Sequence, residues 1–216
     1  MLIWYLARGA GISAYLFLSL ATAAGALTSR RGSIGRRLVV QYVHRSAALT
    51  GLALLALHIV TILADRFAGV GVAGALLPLA SGYRPVAVSF GVLAMYLLVA
   101  AALTGVLRTR FARTATASWR RIHLVGYAAW AAAAWHFYTV GTDAGQWWAW
   151  LVLVAGIGAV AGGLLGRLAG VPIAGGRTLT PGPLAGGRTV PSGAPVARPV
   201  MDRQPARQPA GIGGAR

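Results

Sequence analysis

Five stretches of this sequence are apolar for long enough to cross a bilayer, and no other feature constrains the fold as strongly. They cover about 3–27, 38–64, 86–107, 119–141 and 147–168, and a spanning helix needs about 20 apolar residues. Backbone polar groups find no water in the hydrocarbon layer, so such runs must close their hydrogen bonds internally as helices. The expectation is an all-α integral membrane protein, a five-helix transmembrane bundle over 1–168. Composition agrees: 57% of the residues are apolar and 11% charged, which excludes an ordinary soluble domain. The first run ends in the small residues "ATAAGA", but no basic segment precedes it. It also outlasts the apolar core of a signal peptide, about 7–15 residues, and reads as a retained helix. The stretch "AGVGVAGALLPLAS" (68–81) is too short to span and is expected to form an interfacial or re-entrant cover.

Charge orients the bundle. All twenty basic residues are arginine, against three aspartates and no glutamate, for a net charge of +17. Arg30, Arg31, Arg36 and Arg37 follow the first run; Arg108, Arg110, Arg113, Arg120 and Arg121 follow the third; Arg167 and Arg177 follow the fifth. The second connection holds only Arg66 and Arg84, and the fourth, "TDAGQ", holds none. By the positive-inside rule the N-terminus is outside and the C-terminus cytoplasmic. Arginines placed between apolar runs suit anionic lipid headgroups, not nucleic acid. Residues 169–216 are rich in Gly, Pro and Arg and carry "AGGRT" twice, at 174–178 and 185–189. They are expected to be a disordered, lipid-attracted cytoplasmic tail.

The four histidines lie in only two of the runs: His44 and His58 in the second, His123 and His136 in the fourth. Both helices run from inside to outside, so His44 and His123 share an inner level and His58 and His136 an outer one. Each pair is separated by about 20 Å along its axis. Intramembrane imidazoles are costly and mark function by default. Two rings facing at one depth suit axial ligation of an iron porphyrin. Arg45, Arg120 and Arg121 flank the inner level as cations for its propionates, and Arg8 could serve the outer one. Fourteen residues return a helix to within about 40° of the starting face, but thirteen leave rings roughly 140° apart. The fourth helix is therefore expected to be distorted, by a π-bulge or a tightened turn, or to present its two rings to differently placed haems; if neither holds, one haem at the outer level is expected.

Other residues call for less. Trp4, Tyr5, Trp147, Trp148 and Trp150 read as anchors at the outer interface and Trp119 at the inner one. Trp135 and Tyr138 flank His136. Asp65 and Asp143, at outer helix ends, read as caps or as carboxylates for a cation at the outer mouth. Gly51, Gly105, Gly126, Gly158 and Gly162 read as points of close helix contact. Without cysteine there is no disulfide, no thiolate-held cluster and no covalent haem attachment. Two rivals stay open: a His-lined transporter or metal-ion channel without haem, and a non-catalytic membrane assembly subunit.

A helix with His-x13-His followed, one hairpin later, by a helix with His-x12-His resembles the ferric reductase-like transmembrane domain. That domain is shared by ferric reductases, NADPH oxidases and the haem subunit of the methionine sulfoxide reductase system. "WYLARGAGISAYLFLSL", "QYVHRSAALTGLALLALHIVTILAD" and "WHFYTVGTD" look like its short bacterial members. The resemblance implies a bacterial cell-membrane protein with two non-covalent b-type haems. His44 and His123 would bind the inner iron, and His58 and His136 the outer. It also implies electron flow from the cytoplasmic side to an outer acceptor: ferric iron, dioxygen or a partner protein. Larger relatives append a flavin and nicotinamide domain and have six spans. Here low-complexity residues stand in that place, so no flavin or NAD(P)H site is expected, and the donor would be a separate flavin reductase or quinol.

Overall fold

The structure, a computed structural model, describes residues 1–28, 33–107 and 116–169. Arg30, Arg31, Arg108, Arg110, Arg113 and the expected tail beyond residue 169 lie outside the described residues, as does the side chain of Arg120. Among the described residues there are seven helices: α1 (Leu2–Leu27), α2 (Ile34–Ala64), α3 (Gly71–Leu76), α4 (Pro85–Leu107), α5 (Thr116–His123), α6 (Val125–Val140) and α7 (Trp147–Leu168). The described residues contain no strand. Helices α1, α2, α4 and α7 are each long and apolar enough to cross a membrane.

The expected fourth span, 119–141, is not one helix. It begins at Thr116 and is interrupted at Leu124, so α5 and α6 meet there as two segments. The Leu124 N–H donates to the Arg121 carbonyl at 3.2 Å, and the Tyr127 N–H to the Leu124 carbonyl at 3.0 Å. Both bonds skip three residues where an α-helix skips four, so the interruption is a tightened turn. Such a turn advances about 120° and 2.0 Å per residue in place of 100° and 1.5 Å, so three tightened residues remove roughly 60° of a 140° mismatch. They also lengthen the thirteen-residue step to about 21 Å, the rise of fourteen ordinary helical residues. A thirteen-residue spacing on this helix thereby keeps step with the fourteen-residue spacing on α2.

Helix α1 is the central post. It packs on α2, α6 and α7, and its buried residues are mostly alanines, including Ala7, Ala14, Ala21 and Ala24. Small side chains permit the close approach that holds membrane helices together, since lipid tails are as apolar as leucine. On α2, a Cβ at Gly51 would stand 2.8 Å from the Leu18 side chain. On α7, a Cβ at Gly163 would stand 2.8 Å from the Ala23 carbonyl oxygen. Gly158 and Gly162, expected at a helix contact, face open space instead. Buried polar groups on α1 are paired. The Trp130 indole N–H donates to Ser19 Oγ at 2.9 Å, and that hydroxyl donates to the Tyr15 carbonyl at 2.7 Å. The Tyr15 hydroxyl donates to the Leu153 carbonyl at 3.1 Å, and its ring stacks on Phe137.

Between α2 and α4 the chain makes the short α3 where a cover was expected. Gly69 and Gly71 adopt φ of +65° and +64°, the left-handed conformation that glycine adopts without steric cost. Pro85 then opens α4, where its missing N–H would have had no helical partner.

Candidate functional site

The two antiparallel hairpins, α1 with α2 and α4 with α5–α6, each carry two histidines. Each imidazole is fixed in the same way. His58 Nδ1 lies 2.7 Å from the Ala7 carbonyl oxygen, and His44 Nδ1 lies 2.7 Å from that of Ala21, both on α1. His136 Nδ1 lies 2.9 Å from the Ala87 oxygen, and His123 Nδ1 lies 3.1 Å from that of Ala101, both on α4. A carbonyl can only accept, so each Nδ1 carries the proton and donates it. That fixes the Nδ1–H tautomer and leaves Nε2 as the nitrogen with a lone pair, on the ring edge turned from the accepting helix. Metal-binding histidines are usually held like this, with the second nitrogen tied to a carbonyl or carboxylate. His123 is held further: Thr104 Oγ1 lies 3.2 Å from its Nδ1, and Trp119 stacks on its ring at 5.3 Å.

A glycine completes each seat. The accepting carbonyls belong to Ala7, Ala21, Ala87 and Ala101, and one turn further on stand Gly11, Gly25, Gly91 and Gly105. The imidazole lies against that glycine in every case. Sequence reasoning took Gly105 for a helix contact and passed over the others. The signal was present: Ala-x3-Gly occurs twice in the first run and twice in the third, with the copies fourteen residues apart, the same step as His44 to His58.

The histidines meet in the expected pairs. His44 and His123 hold ring centroids 6.1 Å apart with planes at 76°. His58 and His136 line one cavity of about 470 Å³, within the ~300–1,000 Å³ common for cofactor pockets. Among the described residues no Cα of α2 comes within 8 Å of any on α5 or α6. The helices bearing the rings do not touch each other, and α1 packs against both α2 and α6.

A b-type haem fits these residues. A metal bonded to one nitrogen of each ring at about 2 Å sets the ring centres roughly 6.4 Å apart, close to the inner pair's separation. The cavity walls around His58 and His136 are mostly apolar, with Ile12, Leu55, Met95 and Leu98 among them, and Arg8, Asp65 and Asp143 supply charge. A bare cation fits less well. Among the described residues no three His, Cys, Asp or Glu side chains converge, whereas a porphyrin fills the equatorial positions itself and asks the protein only for axial ligands.

Of the expected cations, Arg8 lines the outer cavity and is ion-paired with Asp143 in the α6–α7 connection. Its guanidinium also stands 4.1 Å from the Trp4 ring centre. Arg45 and Arg121 are exposed beside the inner pair. Asp143 is thus the counter-ion of Arg8, not a cap, while Asp65 accepts from the Phe67 N–H at 3.0 Å and caps the end of α2. Tyr138 lines the outer cavity and Trp135 does not. Comparisons of the chain with protein-family models, curated proteins and solved structures find no match.

Proposed function

We propose that this protein is a membrane-embedded b-type dihaem cytochrome, the transmembrane electron-transfer part of an oxidoreductase similar to the ferric reductase-like group. One observation carries the reading. Four imidazoles in a membrane-type bundle each give Nδ1–H to a backbone carbonyl, and they meet in two pairs across a space that the ligand-bearing helices leave open.

The haem, when bound, supplies one-electron redox chemistry. The chain supplies everything else. His44 with His123, and His58 with His136, would hold the two haem irons through Nε2, at positions about 20 Å apart along the helices. The Ala7, Ala21, Ala87 and Ala101 carbonyls hold the rings in that tautomer and raise their basicity as ligands. Helix α1 packs against both α2 and α6, and apolar side chains such as Ile12, Leu55, Met95 and Leu98 line the outer cavity. Arg8 at the outer level, and Arg45, Arg120 and Arg121 at the inner, offer positive charge to carboxylates at the haem edges. The broken α5–α6 segment is the fourth of five spans, the arginine distribution favours an N-terminus outside, and the resemblance to the short bacterial members favours a bacterial cell membrane. A separate flavin reductase or quinol donates at the cytoplasmic side. Ferric iron, dioxygen or a partner protein accepts outside.

The deciding experiment is a dithionite-reduced minus oxidised spectrum of the detergent-purified protein with haem counted per chain. Two haems support the proposal. None, after expression with ample haem, refutes it.

A further inference from the structure

Three glycines are placed directly against the imidazoles, with no room for a side chain of ordinary contact. A Cβ at Gly91 would stand 2.7 Å from His136 Nδ1 and Cε1, and one at Gly11 would stand 2.8 Å from His58 Nδ1. At Gly25 the distance to His44 Nδ1 is 3.1 Å, and at Gly105 the distance to His123 Cε1 is 3.8 Å. Real Cβ atoms essentially never approach closer than 3.0 Å, and 3.8 Å is ordinary contact. Alanine is also the better helix former, so glycine inside α1 and α4 runs against local propensity. In a helix the carbonyl points toward the following turn, so a ring that donates to residue i rests over residue i+4. At Gly11 and Gly91 only glycine lets the ring reach the carbonyl without a shift.

We propose that Gly11, Gly91 and Gly25 are positioning residues for the ligating imidazoles, and that glycine is required more strictly at the outer pair than at the inner pair. The inference rests on the dihaem reading for its consequence and on the ring–carbonyl–glycine geometry for its cause. An imidazole displaced by a methyl group must give up either its Nδ1 hydrogen bond or its alignment with the opposite ring. At the outer level both rings are so constrained, by glycines on different helices. At the inner level Gly25 needs a shift of a few tenths of an ångström at His44, and His123 has room.

The test uses the full chain in detergent with Gly11→Ala, Gly91→Ala, Gly25→Ala and Gly105→Ala, and with Gly158→Ala, which faces open space, as control. Haem per chain, the low-spin signature and the potential of each haem are read. Gly11→Ala and Gly91→Ala are expected to lose one of the two haems or turn it high-spin, with the other unchanged. Gly25→Ala is expected to move the potential of the other haem, and Gly105→Ala to have the smallest effect of the four. Unchanged spectra and potentials in Gly11→Ala and Gly91→Ala would overturn the proposal while leaving the dihaem reading intact.

A second measurement is independent of haem. The thermal midpoint of Gly91→Ala is compared in the wild-type and His136→Ala backgrounds. The loss is expected to vanish when the ring is gone. An equal loss in both backgrounds overturns the proposal, whether or not haem is bound.

Discussion

His44 and His123 bring their ring centres to 6.1 Å, although no Cα of α2 comes within 8 Å of α5 or α6 among the described residues. The side chains close a gap that the backbones keep open. Each ring is braced from behind by a carbonyl of its own hairpin partner, Ala21 for His44 and Ala101 for His123. The space between hairpins is therefore a built feature of the bundle, and its energetic consequences can be tested residue by residue.

Removing either ring of a pair should cost the same haem. His58→Ala and His136→Ala are each expected to lower the haem count from two to one, and the double variant to go no lower. His44→Ala and His123→Ala should remove the other haem. Pyridine haemochrome assay per chain checks this, and four graded, additive losses would contradict it.

The tightened turn at Leu124 compensates for a missing residue. Insertion of one alanine after Leu124 lets the segment become a regular helix of nearly the same length, since fourteen ordinary residues rise about 21 Å. Both haems should be retained. Deletion of Leu124 should remove at least one, because no further tightening makes up the shortfall. Absorption spectra of the two variants decide the matter.

Close backbone approach between α1 and α7 makes Gly163 intolerant of any side chain. A Cβ there would meet the Ala23 carbonyl oxygen at 2.8 Å and its Cα at 2.9 Å. Gly163→Ala is expected to destabilise the bundle by about 1–3 kcal/mol through overpacking. Gly158→Ala on the same helix meets nothing within 4 Å and should gain up to about 1 kcal/mol from helix propensity. Thermal unfolding in detergent compares the two.

The Arg8–Asp143 pair ties the first turns of α1 to the α6–α7 connection. Its side chains are 26% and 23% exposed, so Asp143→Asn should cost only about 1 kcal/mol. Arg8→Ala should cost more, because the guanidinium also rests over Trp4 and such contacts contribute about 0.5–2 kcal/mol. Arg8→Ala should in addition shift the potential of the outer haem alone, measured by redox titration.

Much of the architecture was legible because its causes are local. Runs of apolar residues required helices, and those helices begin and end within a few residues of the expected bounds at α1, α4 and α7. The thirteen-residue step between His123 and His136 announced a distortion that the structure contains at Leu124. Local pattern did not show that α5 and α6 would separate there, nor that Gly158 and Gly162 would face outward. Nor did it show that Asp143 would pair with Arg8, which lies 135 residues away in sequence.

What the sequence by itself determined was the helical character of the chain and the spacing of the histidines along their helices, because both follow from hydropathy and a constant rise per residue. Tertiary structure alone decided which carbonyl and which glycine each imidazole would meet. The carbonyls lie 22 to 51 residues away along the chain. They come into register only when two antiparallel helices pack at a particular offset, and that offset is set by how closely small residues on α1 and α4 allow their neighbours to approach.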